Sequence, residues 1–220
     1  MSYTTFIFDL DGTLLDTLGD LAASTNYALW EHGMPEHSID DVRRFVGNGV
    51  RKLMERAIPD GDNNLDFEAT FATFREHYMH HSLDTTRPYD GIPETLRALK
   101  ARGCKLAVVS NKMMAATQEL CHHFFPDTIE VAIGENEAAG IRKKPAPDTV
   151  FEALKALGKP TEPVPVSSAV YVGDSDVDIE TARNAGIPCI SVLWGFRDKD
   201  FLINHGAKTF ISAPSELLQE

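Results

Sequence analysis

The chain has 220 residues, with 21 Lys+Arg against 33 Asp+Glu and a formal charge of −12. A hydrophobic share of 43% is a globular balance. It excludes a disordered or collagen-like chain and leaves room for one large domain or a domain with a smaller companion. The acidic balance argues against broad nucleic-acid binding, which needs Lys and Arg to replace counterions, and offers an anionic substrate no steering.

In chain order, Thr5 to Phe8 predicts the first strand. From Asp16 to about Pro88 no strand signal follows. A parallel crossover needs only a dozen or so residues, so this stretch is an insert rather than a connection. Leu18, Leu21, Thr25 and Leu29 fall on one helical face, as do Phe67, Phe71, Phe74 and Tyr78. The aromatic stripe predicts the core of a small helical bundle. Its links, Leu14–Thr17 and Ser82–Tyr89, are two neighbouring chain crossings, the layout of a hinged lid. The expected domains are therefore 1–15 with 89–220, and 16–88.

After the insert, strands are predicted at Lys105 to Val109, Ile129 to Ile133, Ala169 to Val172, Pro188 to Val192 and Thr209 to Ile211. Several lack polar alternation, as strands buried on both faces do. Helical patterns lie between them at Lys112 to His122, Pro147 to Leu157 and Val177 to Asn184, with a last one near Ser215 to Leu218. Lys159 to Pro165, with its three prolines, predicts a stiff surface loop. Strand alternating with helix gives an α/β fold: a Rossmann-like parallel sheet with helices on both sides and an inserted α-helical domain.

Cys104, Cys121 and Cys189 are widely spaced and form no CxxC pair, so neither a zinc knuckle nor a disulfide framework is indicated. The start Met-Ser-Tyr-Thr-Thr-Phe lacks a signal-peptide pattern, and no apolar run approaches the roughly 20 residues that span a bilayer. A cytoplasmic protein with no membrane and no nucleic-acid partner is expected, as a monomer or homodimer.

The chemistry gathers at strand ends. The first strand runs into Asp9-Leu10-Asp11-Gly12-Thr13. Residues two apart in extended chain point the same way, so Asp9 and Asp11 share a space at the carboxyl end of a buried strand, where open α/β sheets place ligands. Two carboxylates held together repel unless a cation or a shared proton resolves it. The fourth strand ends Val172-Gly173-Asp174-Ser175-Asp176-Val177-Asp178. Asp174 adds a third convergent oxygen donor, a set that suits Mg²⁺, while Asp178 would support the site from behind. Asp176 reads as a helix-start acid. Ser110 and Asn111 end the second strand at a helix start, a ready anion site, although Ser-Asn is also a common helix cap. Lys144 precedes Pro145 in a basic loop, which solvent alone could explain; Pro145 is expected to keep it extended. Four strand ends each delivering a fitting group outweigh the plainer reading of any one. In the insert, Gly47-Asn48-Gly49 could let backbone approach a ligand and Arg51 or Lys52 could meet a carboxylate, though a glycine-rich turn with solvated basics accounts for them as well. The pairs His80-His81 and His122-His123 do not share a helix face and are read as non-ligands.

These residues resemble the haloacid dehalogenase superfamily, in particular its phosphatases with a helical cap after the first motif. Asp9-Leu10-Asp11-Gly12-Thr13 is similar to the first motif, Ser110 to the second, Lys144 to the third, and Gly173-Asp174-Ser175 through Asp178 to the fourth. Val46 to Val50, Gly91 to Leu96 and Val109 to Lys112 look most like phosphoglycolate phosphatases. The resemblance implies Asp9 as nucleophile, forming an aspartyl-phosphate, and Asp11 as general acid and base. It implies Mg²⁺ bound by Asp9, the backbone carbonyl of Asp11, and Asp174, and a phosphoryl group held by Ser110, the Asn111 region and Lys144. The substrate class is a small phosphorylated metabolite, with 2-phosphoglycolate first. Pyrophosphate hydrolysis, or sugar-phosphate hydrolysis or mutase chemistry as in β-phosphoglucomutase, keeps the same core. A phospho-aspartate receiver module is the competing class; Asp11 and the large insert speak against it.

Overall fold

The computed structural model describes residues 3–158 and 164–219. Positions 159–163 of the expected proline-rich loop lie outside the described residues. The chain forms two compact units, Met1–Leu15 with Pro88–Glu220, and Asp16–Arg87. Strand β1 (Thr5–Phe8) lies in the first. A short ribbon of β2 (Leu15–Asp16) and β3 (Arg87–Pro88) stands where the chain passes between units, although no strand was expected there.

The Asp16–Arg87 unit is helical: α1 (Leu18–Glu31), α2 (Ile39–Phe45), α3 (Val50–Ala57) and α4 (Phe67–His81). Leu18, Leu21, Thr25 and Leu29 are all buried, and α1 packs on α4. Phe67, Phe74 and Tyr78 are buried too. Phe71 departs from the expected stripe: it is only half-buried, stacked on Phe67 and covered by the guanidinium of Arg51. Asp20, though charged, is buried near the start of α1, where it accepts hydrogen bonds from the N–H and hydroxyl of both Thr85 and Thr86 at 2.5–3.1 Å. It thus ties the first turn of the unit to its last residues.

The larger unit continues with α5 (Ile92–Ala101), β4 (Lys105–Met113), α6 (Met114–Phe124), β5 (Val131–Glu135) and α7 (Asp148–Leu157). It ends with β6 (Ala169–Gly173), α8 (Asp176–Ala185), β7 (Cys189–Val192), α9 (Lys199–Asn204), β8 (Thr209–Ile211) and a 3₁₀ turn at Pro214–Gln219. The six strands make one parallel sheet in the order β5-β4-β1-β6-β7-β8. Helices α5 and α9 were not anticipated. The last expected helix is a 3₁₀ turn, and β4 runs four residues past its expected end at Val109.

Strand β1 is central, with β4 on one side and β6 on the other. Its alternating side chains explain the apolar run. Phe6 and Phe8 pack with Leu96, Leu99 and Leu120 on one face; Ile7 packs with Val150, Leu154 and Ala182 on the other. Both faces are covered by helices, so the strand is apolar from Phe6 to its end. Asp9 is the first residue past it, at the switch point where neighbours run off in opposite directions and open a crevice.

Candidate active site

Asp9 leaves β1 buried. Its Oδ1 accepts from the Lys144 ammonium at 2.8 Å and from the Leu10 N–H at 2.7 Å. Gly12 then turns the chain at φ +82°, and a Cβ there would sit 2.4 Å from Oδ2 of Asp174, so glycine is required twice over. Asp174, from the end of β6, accepts from the Thr13 hydroxyl at 3.2 Å on Oδ1 and from the Phe196 N–H at 2.7 Å on Oδ2. The second contact comes from a loop after β7 that the sequence did not flag. Gly195 is what lets that loop approach, since a Cβ on it would lie 2.2 Å from the Cβ of Asp174. Trp194 pins the same loop by donating its indole N–H to the Thr13 carbonyl at 3.0 Å.

Asp178 lies in the first turn of α8 and is completely buried, with donors on both oxygens. Oδ1 accepts from Lys144 at 2.8 Å and the Tyr171 hydroxyl at 3.2 Å. Oδ2 accepts from the Ser175 hydroxyl and the N–H groups of Asp174 and Ser175 at 2.6–3.2 Å. With the Ser175 hydroxyl at the helix start it forms a capping box, so one side chain both begins α8 and anchors the lysine.

Lys144 lies in a turn, with a cis peptide to Pro145, rather than in the extended segment expected. Asn111 clamps its backbone from both sides, accepting from the Lys144 N–H at 2.8 Å and donating to its carbonyl at 2.9 Å. This uses one of the two N–H groups of the Asn111 amide and leaves the other for a further acceptor. Ser110 is buried and its hydroxyl accepts from the Lys112 N–H at 3.1 Å. Asp11 stands apart from the acid cluster: its carboxylate pairs with the buried Lys112 ammonium at 3.0 Å and keeps 17% exposure. Lys112, Tyr171, Thr13 and the Trp194–Phe196 loop are members of this neighbourhood to which the sequence reading gave no role.

Among the described residues, Asp9, Asp174 and Asp178 form a group able to hold a metal, with ligand atoms within 4.8 Å of one another. Burial, then the charge of Asp178, pushes the Asp9 carboxyl well above the usual carboxylate range. The same two causes push Asp174 up to about 7. Burial alone would lower the Lys144 ammonium, but Asp178 and Asp9 outweigh it and raise it. Acids pushed up by each other's charge are what a cation would settle. Their donors are all oxygen, which fits a hard divalent ion such as Mg²⁺. The sequence placed the metal on Asp9, Asp11 and Asp174. In the structure Asp178 replaces the Asp11 carboxylate in the cluster, but its oxygens already serve five donors; the Asp11 backbone carbonyl is the part of that residue the expectation used. Arg51 and Lys52 are spent on Glu68 and Glu55. The cysteines are free, and burial pushes the Cys121 and Cys189 thiols up to about 12, so neither is a nucleophile.

Residues 6–192 match the family model of haloacid dehalogenase-like hydrolases. The chain belongs to that family. It is 35% identical over 215 residues to the phosphoglycolate phosphatase of Aquifex aeolicus, covering 97% of this chain and 94% of the relative. It is 30% identical over 214 residues to the N-acetylmuramic acid 6-phosphate phosphatase of Pseudomonas aeruginosa, covering 96% and 92%. A crystal structure of a predicted phosphoglycolate phosphatase from Haemophilus somnus superposes with TM-score 0.87 at 29% identity, over 100% of this chain and 98% of that one. As a haloacid dehalogenase-like hydrolase, the chain has its acids where the family's sheet opens. No helix among the described residues is long and apolar enough to cross a membrane.

Proposed function

We propose that this phosphatase hydrolyses a small phosphate monoester, 2-phosphoglycolate first among candidates, through an aspartyl-phosphate on Asp9. The observation that carries this reading is the unequal placement of two acids two residues apart. Asp9 is inside the buried cluster with Lys144, whereas Asp11 stands at its margin on Lys112. This inequality supports Asp9 as the attacking group and Asp11 as the group that exchanges protons with a leaving group and with water.

In the first step an oxygen of Asp9 bonds to phosphorus as the bond to the alcohol oxygen breaks, and Asp11 gives that oxygen its proton. In the second, Asp11 takes a proton from a water that attacks the phosphorus, releasing orthophosphate and restoring the Asp9 carboxylate. Lys144 and Ser110 hold the phosphoryl oxygens as charge moves among them. Asp178, fully buried behind Lys144, keeps that ammonium in place. Asp9, Asp174 and the Asp11 carbonyl would hold Mg²⁺, whose chemistry there would be positive charge that eases the approach of an anionic nucleophile to an anionic phosphate. The Asp16–Arg87 unit is proposed as the part that selects the leaving group.

A phosphate-release panel tests the substrate: 2-phosphoglycolate, N-acetylmuramic acid 6-phosphate, pyrophosphate and β-glucose 1-phosphate. The relative of Pseudomonas aeruginosa is the reason for the second compound. 2-Phosphoglycolate should give the highest kcat/KM; a place among the poorest substrates would remove it. Asp9→Asn should lower kcat by at least about 10³-fold while leaving the circular dichroism spectrum unchanged.

A further inference from the structure

An ammonium has three N–H groups and no acceptor. In Lys144 all three have an oxygen: Asp9 Oδ1 at 2.8 Å, Asp178 Oδ1 at 2.8 Å and the Tyr171 hydroxyl at 3.1 Å. Asp178 and Tyr171 are fully buried, and Tyr171 lies on the sheet face covered by α7 and α8. Nothing arriving from solvent can displace either. Asp9, with its side chain 12% exposed, is the partner on the accessible side. Two N–H groups are thus fixed from beneath, and the direction of the third follows from them.

Tyr171 is out of character with its surroundings. On this face the neighbouring strands β1, β4 and β6 contribute Ile7, Ala107, Val109 and Ala169, with Thr5 at the start of β1 as a small polar exception. A buried phenol among them costs desolvation unless its oxygen is used. Its oxygen is used: it accepts from Lys144 and has Asp178 Oδ1 at 3.2 Å and the Val109 carbonyl at 3.4 Å as acceptors for its own proton. A phenol also binds the ammonium without adding a further negative charge to a site that already holds Asp9, Asp174 and Asp178. An apolar ring would fill the volume equally well and leave one lysine N–H buried without a partner.

We propose that Tyr171 is a positioning residue for phosphoryl transfer: its hydroxyl, with Asp178, orients Lys144 so that a single N–H is presented beside Asp9, where the phosphoryl oxygens are to be held. This rests on the phosphatase reading above.

The test is Tyr171→Phe, with p-nitrophenyl phosphate as substrate and inorganic orthophosphate as inhibitor, assayed well below the melting temperature. Loss of one hydrogen bond to a charged group predicts about a tenfold fall in kcat/KM and about a tenfold weaker inhibition by orthophosphate, with a melting temperature within a few degrees of the parent. A lower melting temperature with unchanged kcat/KM and unchanged inhibition would leave Tyr171 a packing residue and overturn the proposal. Lys144→Met in the same assays separates the two levels. If the parent protein releases no p-nitrophenol, the phosphatase reading itself fails; if Lys144→Met keeps turnover and orthophosphate inhibition, Lys144 holds no phosphoryl oxygen and the positioning role falls with it. If Lys144→Met loses both while Tyr171→Phe loses neither, only the role of Tyr171 fails. Should Tyr171→Phe not fold, 3-fluorotyrosine at position 171 weakens the acceptor and keeps the ring. Weaker orthophosphate inhibition then supports the proposal, and unchanged inhibition overturns it.

Discussion

Mg²⁺ should stabilise this protein strongly at pH 8 and little at pH 5. Asp174 titrates at about 7 in the folded chain against 3.8 for a free aspartate, through burial and the charge of Asp178. The folded state therefore holds a proton that the unfolded chain has already released. Stability from that proton is fully present below about pH 4 and is lost as pH rises through about 7. A gap of about three pH units at roughly 1.4 kcal/mol each gives on the order of 4 kcal/mol. About two of those three units lie between pH 5 and pH 8, so at about 2–4 °C per kcal/mol for a chain of this size the metal-free melting temperature should fall by about 5–10 °C over that range. Asp9, raised by the same two causes, adds to the fall, and His77, lowered chiefly by burial, acts against it because its share is lost toward acid pH. Lys144 is raised and titrates outside that window, and the lowered carboxyls Asp41, Glu68 and Asp148 lose their share only at more acid pH. A cation that binds the ionised cluster should restore the loss at pH 8, while protons compete with it at pH 5. Scanning calorimetry at both pH values, with EDTA or with millimolar Mg²⁺, measures this directly. Asp174→Asn should reduce the pH dependence, leaving the share of Asp9, and abolish the metal response. Equal Mg²⁺ stabilisation at pH 5 and pH 8, or none at pH 8, would refute the argument.

Two further substitutions probe the supports of each unit. Asp20→Ala removes the acceptor for the N–H and hydroxyl of buried Thr86 and of exposed Thr85, and should cost about 3 kcal/mol in denaturant unfolding; a cost below about 0.5 kcal/mol would mean those groups find other partners. Gly195→Ala puts a Cβ 2.2 Å from the Cβ of Asp174 and must displace either that carboxylate or the Phe196 N–H that holds it. Isothermal titration should show Mg²⁺ affinity weakened by about 10–100-fold, and unchanged affinity would remove the loop from the site.

The parallel sheet was legible because the strands lie between two helical layers and so read as unbroken apolar runs. Asp9, Lys144, Asp174 and Asp178 were legible as a group because each ends or follows such a run, and the structure brings these four together. What stayed hidden has specific physical causes. Tyr171 sits inside an apolar run, where a ring counts as core whatever its hydroxyl does. Phe196 contributes a backbone N–H, to which its side chain gives no clue. The second strand seemed to end at Val109 because Ser110, Asn111 and Lys112 are polar, yet β4 carries on through them to Met113, with a register shift against β5. Those polar residues are tolerated in a strand because their side chains have buried partners: Asn111 on Lys144, and Lys112 on Asp11. Helix α5 was not anticipated although Ile92, Leu96 and Leu99 carry its buried face, with Gly91 at its N-cap and Pro93 in its first turn.

The position of β1 has a consequence in time. Thr5 pairs with Lys105 on one side and Ala169 on the other, so the first strand made is flanked by strands from the middle and the end of the chain. At about 5–20 residues per second on a ribosome, β1 waits on the order of 10–30 s for its β6 neighbour. Throughout that interval Thr5-Phe6-Ile7-Phe8 is an apolar segment with an unsatisfied edge, while the contiguous Asp16–Arg87 unit has all of its own residues in hand and can fold ahead of it.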